Sequence, residues 1–172
     1  MAQHQAPDHS GEAITILKVH PRDPGGITVF SRSQGPDGRL ADRHSAYHDN
    51  ISPPLNWSNV PDAKAWAIVV EDPDAPQEEP FVHWMIWNIR GEVNALPEGV
   101  GNDPTLVSPQ GAIQGKNGRG GYGWFGPRPP AGHGLHRYYF QVFALNELLN
   151  ALKGHTIAKG EMMATYEAPT QQ

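Results

Sequence analysis

Residues 126–145 read GPRPPAGHGLHRYYFQVFAL, a proline- and glycine-studded loop that runs straight into an alternating apolar segment. Proline presets φ at about −65° and removes a backbone donor, and glycine permits turns that other residues resist. Behind this loop, residues 136–145 have period 2, which predicts a strand. On it, His136, Tyr138, Phe140 and Val142 share one face, and Arg137, Tyr139, Gln141 and Phe143 share the other. Polar rings at the mouth of an apolar strand, under a stiff loop, point to a small pocket with one wet end.

The same punctuation recurs along the chain. Of 172 residues, 19 are Gly and 17 are Pro, which favours short strands joined by turns over long helices. Residues 14–19 alternate weakly and predict an edge strand. Residues 21–26 form a turn, residues 27–30 a short strand and residues 31–50 a long polar loop. Residues 52–57, SPPLNW, are extended because residues before proline avoid the α region. Residues 65–70, AWAIVV, predict a buried strand. Residues 81–89, FVHWMIWNI, predict a central one with Phe81, His83, Met85, Trp87 and Ile89 on one face. Residues 91–109 are turn-rich, and the glycine-rich residues 111–126 would be mobile unless pinned. One helix is predicted over residues 147–153, with Asn146 as N-cap and Gly154 past its end, then a last strand over 161–166. The pattern predicts a mostly β, sandwich-like fold: a loose segment over residues 1–12 and a single domain over 13–172.

Composition narrows the function classes. The net charge of −5 argues against a nucleic-acid partner, whose grip rests on phosphate neutralisation. It leaves room for a local anion site. The chain has no cysteine, which excludes disulfides, a zinc thiolate centre and a cysteine nucleophile. The first residues carry no apolar signal core, and no apolar run approaches the roughly 18 residues of a membrane span. The expectation is a soluble cytoplasmic protein, not membrane-spanning.

Several residues carry chemistry. Asp72 and Asp74 flank Pro73, so two carboxylates project from a stiff tether. A calcium loop needs Asp or Asn at its fifth position and Gly at its sixth. Pro76 and Gln77 stand there instead. His83 interrupts an apolar strand face, and His136 opens another strand. Asp72 with two histidines can hold a metal or, through N–H donors, an anion. The H-E-x-x-H pattern is absent, and no metal or other cofactor is expected. Residues 111–117, GAIQGKN, have three residues between their glycines and Asn117 after Lys116, so they fail as a Walker A loop. No G-x-S-x-G elbow exists. No residue is assigned a catalytic role.

DPDAP at 72–76, FVHW at 81–84 and GPRPPAGHGLHRY at 126–138 resemble the signatures of the phosphatidylethanolamine-binding protein family, which includes the Raf kinase inhibitor proteins. SPPLNW, LPEGVGN at 96–102 and TYE at 165–167 resemble its bacterial branch. The resemblance implies an antiparallel β-sandwich with one or two small peripheral helices. It implies a pocket for phosphate or a phospholipid headgroup, formed by Asp72, His83, His136 and Tyr138 and shaped at its mouth by Asp74, Pro129, Pro130 and Gly132. It also implies a homodimer and a regulator of the kinase- or protease-inhibitor type. Arg128 stands where many bacterial members carry Cys and is a further candidate for phosphate binding. His133 replaces a smaller residue, and the connection after Asn146 is shorter than in relatives. The expected function is non-enzymatic binding of an anion. A phosphoester or ester hydrolase using the same Asp and His residues is the alternative, and an interaction module with a vestigial pocket is the third reading.

Overall fold

The computed structural model describes residues 14–19, 26–148 and 156–170. Eight strands form two antiparallel sheets among these residues. The smaller contains β1 (Val29–Phe30), β2 (Leu55–Trp57) and β5 (Ala95–Leu96), in the order β1-β2-β5. The larger contains β3 (Ala65–Asp72), β4 (Phe81–Arg90), β6 (Ile113–Gln114), β7 (His136–Leu145) and β8 (Thr156–Tyr166), in the order β6-β4-β3-β7-β8. The only helical pieces described are α1 (Thr15–Lys18) and a 3-10 turn at Asp42–His44. The predicted mostly β sandwich is the fold observed. The helix predicted over 147–153 falls largely outside the described residues.

The main core lies between the sheets. Trp66, Ile68 and Val70 of β3, Trp84 and Ile86 of β4, and Phe140 and Val142 of β7 meet Val29, Leu55, Trp57 and Leu96 of the smaller sheet. A second cluster covers the other face of the large sheet, where Ala65, Ala67, Val69, Phe143 and Leu145 pack with Ile14 and Ile16. β3 is therefore buried on both faces at all eight positions. That explains its unbroken apolar run, since a strand covered on both sides needs no polar alternation. The faces of β7 also follow the predicted alternation, Tyr138, Phe140 and Val142 in one cluster and Tyr139 and Phe143 against the other.

β4 departs from simple alternation. Val70 pairs with Trp84 but Glu71 pairs with Val82, so His83 is an extra residue in a β-bulge. A second register shift lies between Trp66 and Ile68, where Asn88 has φ of 56°. The single face predicted for Phe81, His83, Met85, Trp87 and Ile89 is thereby broken. Met85 and Trp87 pack on the second cluster, Ile89 joins the main core, and the His83 ring packs at a tilt on Phe81 and edge to face with Tyr138.

Residues 14–19 were predicted as an edge strand and contain α1 instead. The reason is a polar network beneath them. Glu71 accepts hydrogen bonds from the backbone N–H and the hydroxyl of Thr15, each at 2.8 Å, and Gln141 accepts the N–H of Ile16 at 2.6 Å. Gln141 in turn donates to Glu71 at 2.8 Å. Lys159 donates to the carbonyls of Ile16 and Val19. Side chains thus satisfy the backbone groups that a strand partner would have taken.

The glycine-rich segment is pinned. Gln114 accepts the indole N–H of Trp84 at 2.7 Å and donates to the carbonyls of Gly101 and Asp103. Gly118 donates to the Val82 carbonyl at 2.8 Å, and a Cβ there would meet the Phe81 ring at 2.6 Å. Only glycine lets this loop pass so close beneath Phe81.

Candidate functional site

A cleft of about 230 Å³ opens where the end of β3, the start of β4 and the start of β7 meet the proline loop. Asp72 is the last residue of β3 and His136 the first of β7. Their neighbouring strands pair in register from Glu71 with Tyr139 onward, which brings the two side chains together. The Nδ1 of His136 lies 2.8 Å from Oδ2 of Asp72 and donates to it. The other oxygen of Asp72 accepts the N–H of Asp74 at 2.8 Å, a turn that fixes the carboxylate after Pro73. His83 enters from β4 through the bulge, and its Nδ1 donates to the carbonyl of Phe125 at 2.5 Å. Its ring lies 5.1 Å from that of Tyr138, edge to face, and 4.7 Å from Phe81.

The loop above is held from outside. Ser45 and Tyr47 donate their hydroxyls to the carbonyls of Pro127 and Pro129, both at 2.7 Å. Ala46 donates its N–H to Pro127, and Gly126 donates to the side-chain oxygen of Asn50 at 2.7 Å. The prolines contribute shape, because they have no N–H to offer.

Electrostatics divide the lining. Burial pushes the His83 imidazole down to about 4; the Asp72 charge and the Phe125 carbonyl oppose this, and His136 adds to it. His83 is thus neutral near neutral pH, with its proton on Nδ1 and a lone pair on Nε2. Burial, then the charges of Asp72 and Asp74, push the Tyr138 hydroxyl far above its ordinary range, so it stays a donor. Burial raises the Asp74 carboxyl, but hydrogen bonds and charge from Arg137 outweigh it and hold the group below the usual value. Two polar atoms of this wall are buried without a protein partner, Nε2 of His136 and the hydroxyl of Tyr138. Such orphans are costly in a folded protein and call for a reason.

Asp72, His83, Arg128, Pro129, Pro130, His136 and Tyr138 all line this one cleft. Asp74 and Gly132 are not part of the lining. Asp74 faces Arg137, accepting its backbone N–H at 2.8 Å and its guanidinium at 2.9 and 2.7 Å, and so anchors the turn behind Asp72. Gly132 shapes the loop at φ of 84°, beside His133, whose ring lies 5.7 Å from that of His136. Sequence reading missed Arg119, Phe125 and Phe81 as wall residues. Arg119 sits over the Phe125 ring at 5.4 Å, and Arg128 over Tyr47 at 5.4 Å. The only signal for Arg119 was a cation among glycines, R in GRGG, which also describes a solvated loop. Among the described residues, no group of three or more His, Asp or Glu side chains is placed to hold a metal. No helix among them is long and apolar enough to cross a membrane.

A family sequence model described as "Phosphatidylethanolamine-binding protein" matches residues 30–167, the stretch that contains every wall residue of the cleft. This chain belongs to the phosphatidylethanolamine-binding protein family. Family relatives include a UPF0098 protein of Methanothermobacter thermautotrophicus, 37% identical over 142 residues, covering 75% of this chain and 91% of the relative. The crystal structure of Escherichia coli YbcL, described as a new member of the mammalian family, matches with a TM-score of 0.75 and 33% identity over 84% of this chain and 100% of that one. The Chlamydia trachomatis homolog CT736 matches with a TM-score of 0.71 and 32% identity, covering 84% of this chain and 99% of its own. The two-sheet architecture is thus that of the family.

Proposed function

We propose that this protein binds a small phosphate-type anion, free or as a phosphorylated headgroup, without turning it over. The observation that carries this reading is the pair of unpartnered buried atoms, His136 Nε2 and Tyr138 hydroxyl, in a cleft rimmed by Arg119 and Arg128. A tetrahedral oxyanion would satisfy the hydroxyl and bring negative charge to two guanidinium groups. Asp72 is already committed to His136, so its role is to orient that ring. Family membership supports a ligand-binding role of this kind. The lining offers no serine, threonine or cysteine as a nucleophile, which disfavours a covalent hydrolase.

Tyr138→Phe tests the reading. Removing an unsatisfied buried hydroxyl should leave thermal stability equal or raise it by about 1 kcal/mol. Removing a donor to a charged ligand should weaken phosphate binding about tenfold to a hundredfold. Calorimetric titration of inorganic phosphate, beside a melting curve, reads both. Unchanged affinity in the variant would overturn the assignment. Phosphatase or esterase turnover by the wild type that is lost in His83→Ala would favour a hydrolase instead.

A further inference from the structure

The anion cleft has an acceptor in its wall. Nδ1 of His83 lies 2.5 Å from the Phe125 carbonyl, which can only accept, so that nitrogen carries the proton. Neutral His83, with Nδ1 committed to Phe125, keeps its lone pair on Nε2, and its ring lines the cleft. Burial supports the neutral form, since it places the imidazole well below its ordinary range despite the nearby Asp72 charge, with His136 acting in the same direction. The Tyr138 hydroxyl, a donor without a partner, lines the same cleft, its ring 5.1 Å from that of His83. His136 has its Nδ1–H committed to Asp72, and its Nε2 is a donor or an acceptor according to its charge. In either state the wall has at least one donor and at least one acceptor.

We propose that the cleft selects an oxyanion that still carries a proton, a phosphomonoester or inorganic phosphate, over proton-free oxyanions such as sulfate or a phosphodiester. The inference rests on the anion-binding reading above and deepens it. A P–OH donates to Nε2 of His83, while the remaining oxygens accept from Tyr138 and meet Arg119 and Arg128 at the rim. Sulfate has the same shape but no proton, so one oxygen faces a lone pair across the cleft. A phosphodiester has the same deficiency, which sets a free phosphorylated headgroup apart from the same headgroup esterified in an intact lipid. The penalty is that of an acceptor left unpaired once the ligand shuts it off from water, the kind of mismatch that gives strong discrimination between near-isosteres. The apolar part of the lining, Phe81, Phe125, Ala75 and Pro76, suits an organic substituent on the phosphorus better than a bare ion.

The test is a calorimetric panel on the wild-type chain with inorganic phosphate, methyl phosphate, sulfate and dimethyl phosphate. At about pH 6, near the second pKa of a phosphomonoester, its protonated form is abundant. Phosphate and methyl phosphate should bind at least about tenfold more tightly than sulfate and dimethyl phosphate. Within that outcome, tighter binding of methyl phosphate identifies a monoester as the source, and tighter binding of phosphate identifies the free ion. Sulfate or dimethyl phosphate binding about as tightly as phosphate would overturn proton selection and leave the anion site standing. Sulfate binding with uptake of a proton from buffer would overturn it too, because His83 would then have become a donor. Absence of binding by all four would overturn both readings. His83→Gln, whose amide can donate where the imidazole accepts, should narrow the gap between phosphate and sulfate to a few-fold. If that variant does not fold, the wild-type panel decides alone.

Discussion

His83 is the residue whose chemistry depends most on where the backbone puts it. Burial, against the opposing pull of Asp72 and the Phe125 carbonyl, holds it neutral in the folded protein, with a folded pKa of about 4 against an ordinary 6.5. The unfolded chain therefore binds more protons than the folded one between those two values. The stabilisation linked to this group is complete above pH 6.5 and is lost as pH falls toward 4, by an amount on the order of 3 kcal/mol. Urea unfolding at about pH 7 and about pH 4.5 should show this loss in the wild type and a smaller one in His83→Gln. Equal losses in the two would mean that His83 is not the titrating group. His44, buried and also lowered, contributes in the same direction, so the comparison between variants isolates His83. Asp74 acts in the same direction in a lower window: its lowered carboxyl gives stability that is lost only as pH falls below the ordinary carboxylate range.

Among elements, the proline loop depends on one close approach. A Cβ on Gly126 would stand 1.9 Å from the carbonyl of His44 and 3.0 Å from the N–H nitrogen of Ala46. Gly126→Ala should push the loop off the 44–46 segment, cost about 1–3 kcal/mol and weaken phosphate binding as Arg128 and Pro129 shift. A melting curve and a phosphate titration check this. A variant with wild-type stability would show that the loop has another seat. The loop itself, strands β3 and β7, and the meeting of Asp72, His83, His136 and Tyr138 were legible from proline spacing, alternation and family motifs. The bulge at His83 was not. Strict period 2 puts His83 with Met85 and Trp87, and no residue type announces an extra residue in β4. Nor was α1 legible, since weak alternation over 14–19 carries no trace of Glu71 and Gln141, which lie far away in sequence and bind that backbone. Arg119 was invisible for a related reason: the fold, not the local sequence, brings its loop to the rim.

Charge works against the proposed ligand at the scale of the whole molecule. The net charge of −5 repels an approaching anion, while Arg119 and Arg128 supply local positive charge at the rim. Both are exposed and sit on aromatic rings, so each contributes modestly, less than about 1 kcal/mol, and through water. The buried wall, by contrast, is shielded from salt. Raising ionic strength from about 0.01 M to about 0.15 M shortens the screening length from roughly 30 Å to roughly 8 Å. Two effects then compete: screening of the distant carboxylates helps an anion, and screening of the two close cations hurts it. The cations lie within a few ångströms of the cleft and the bulk of the acidic residues do not, so at low salt the remote repulsion is the more sensitive to added ions. Phosphate affinity should therefore rise slightly or hold constant over this range in the wild type. In the Arg119→Gln, Arg128→Gln double variant, with the net repulsion increased by two charges and the local attraction gone, affinity at low salt should fall about tenfold and recover more steeply as salt is added. Titrations at the two ionic strengths measure both slopes. A double variant with wild-type affinity and the same salt response would remove the arginines from the site and leave recognition to the buried wall.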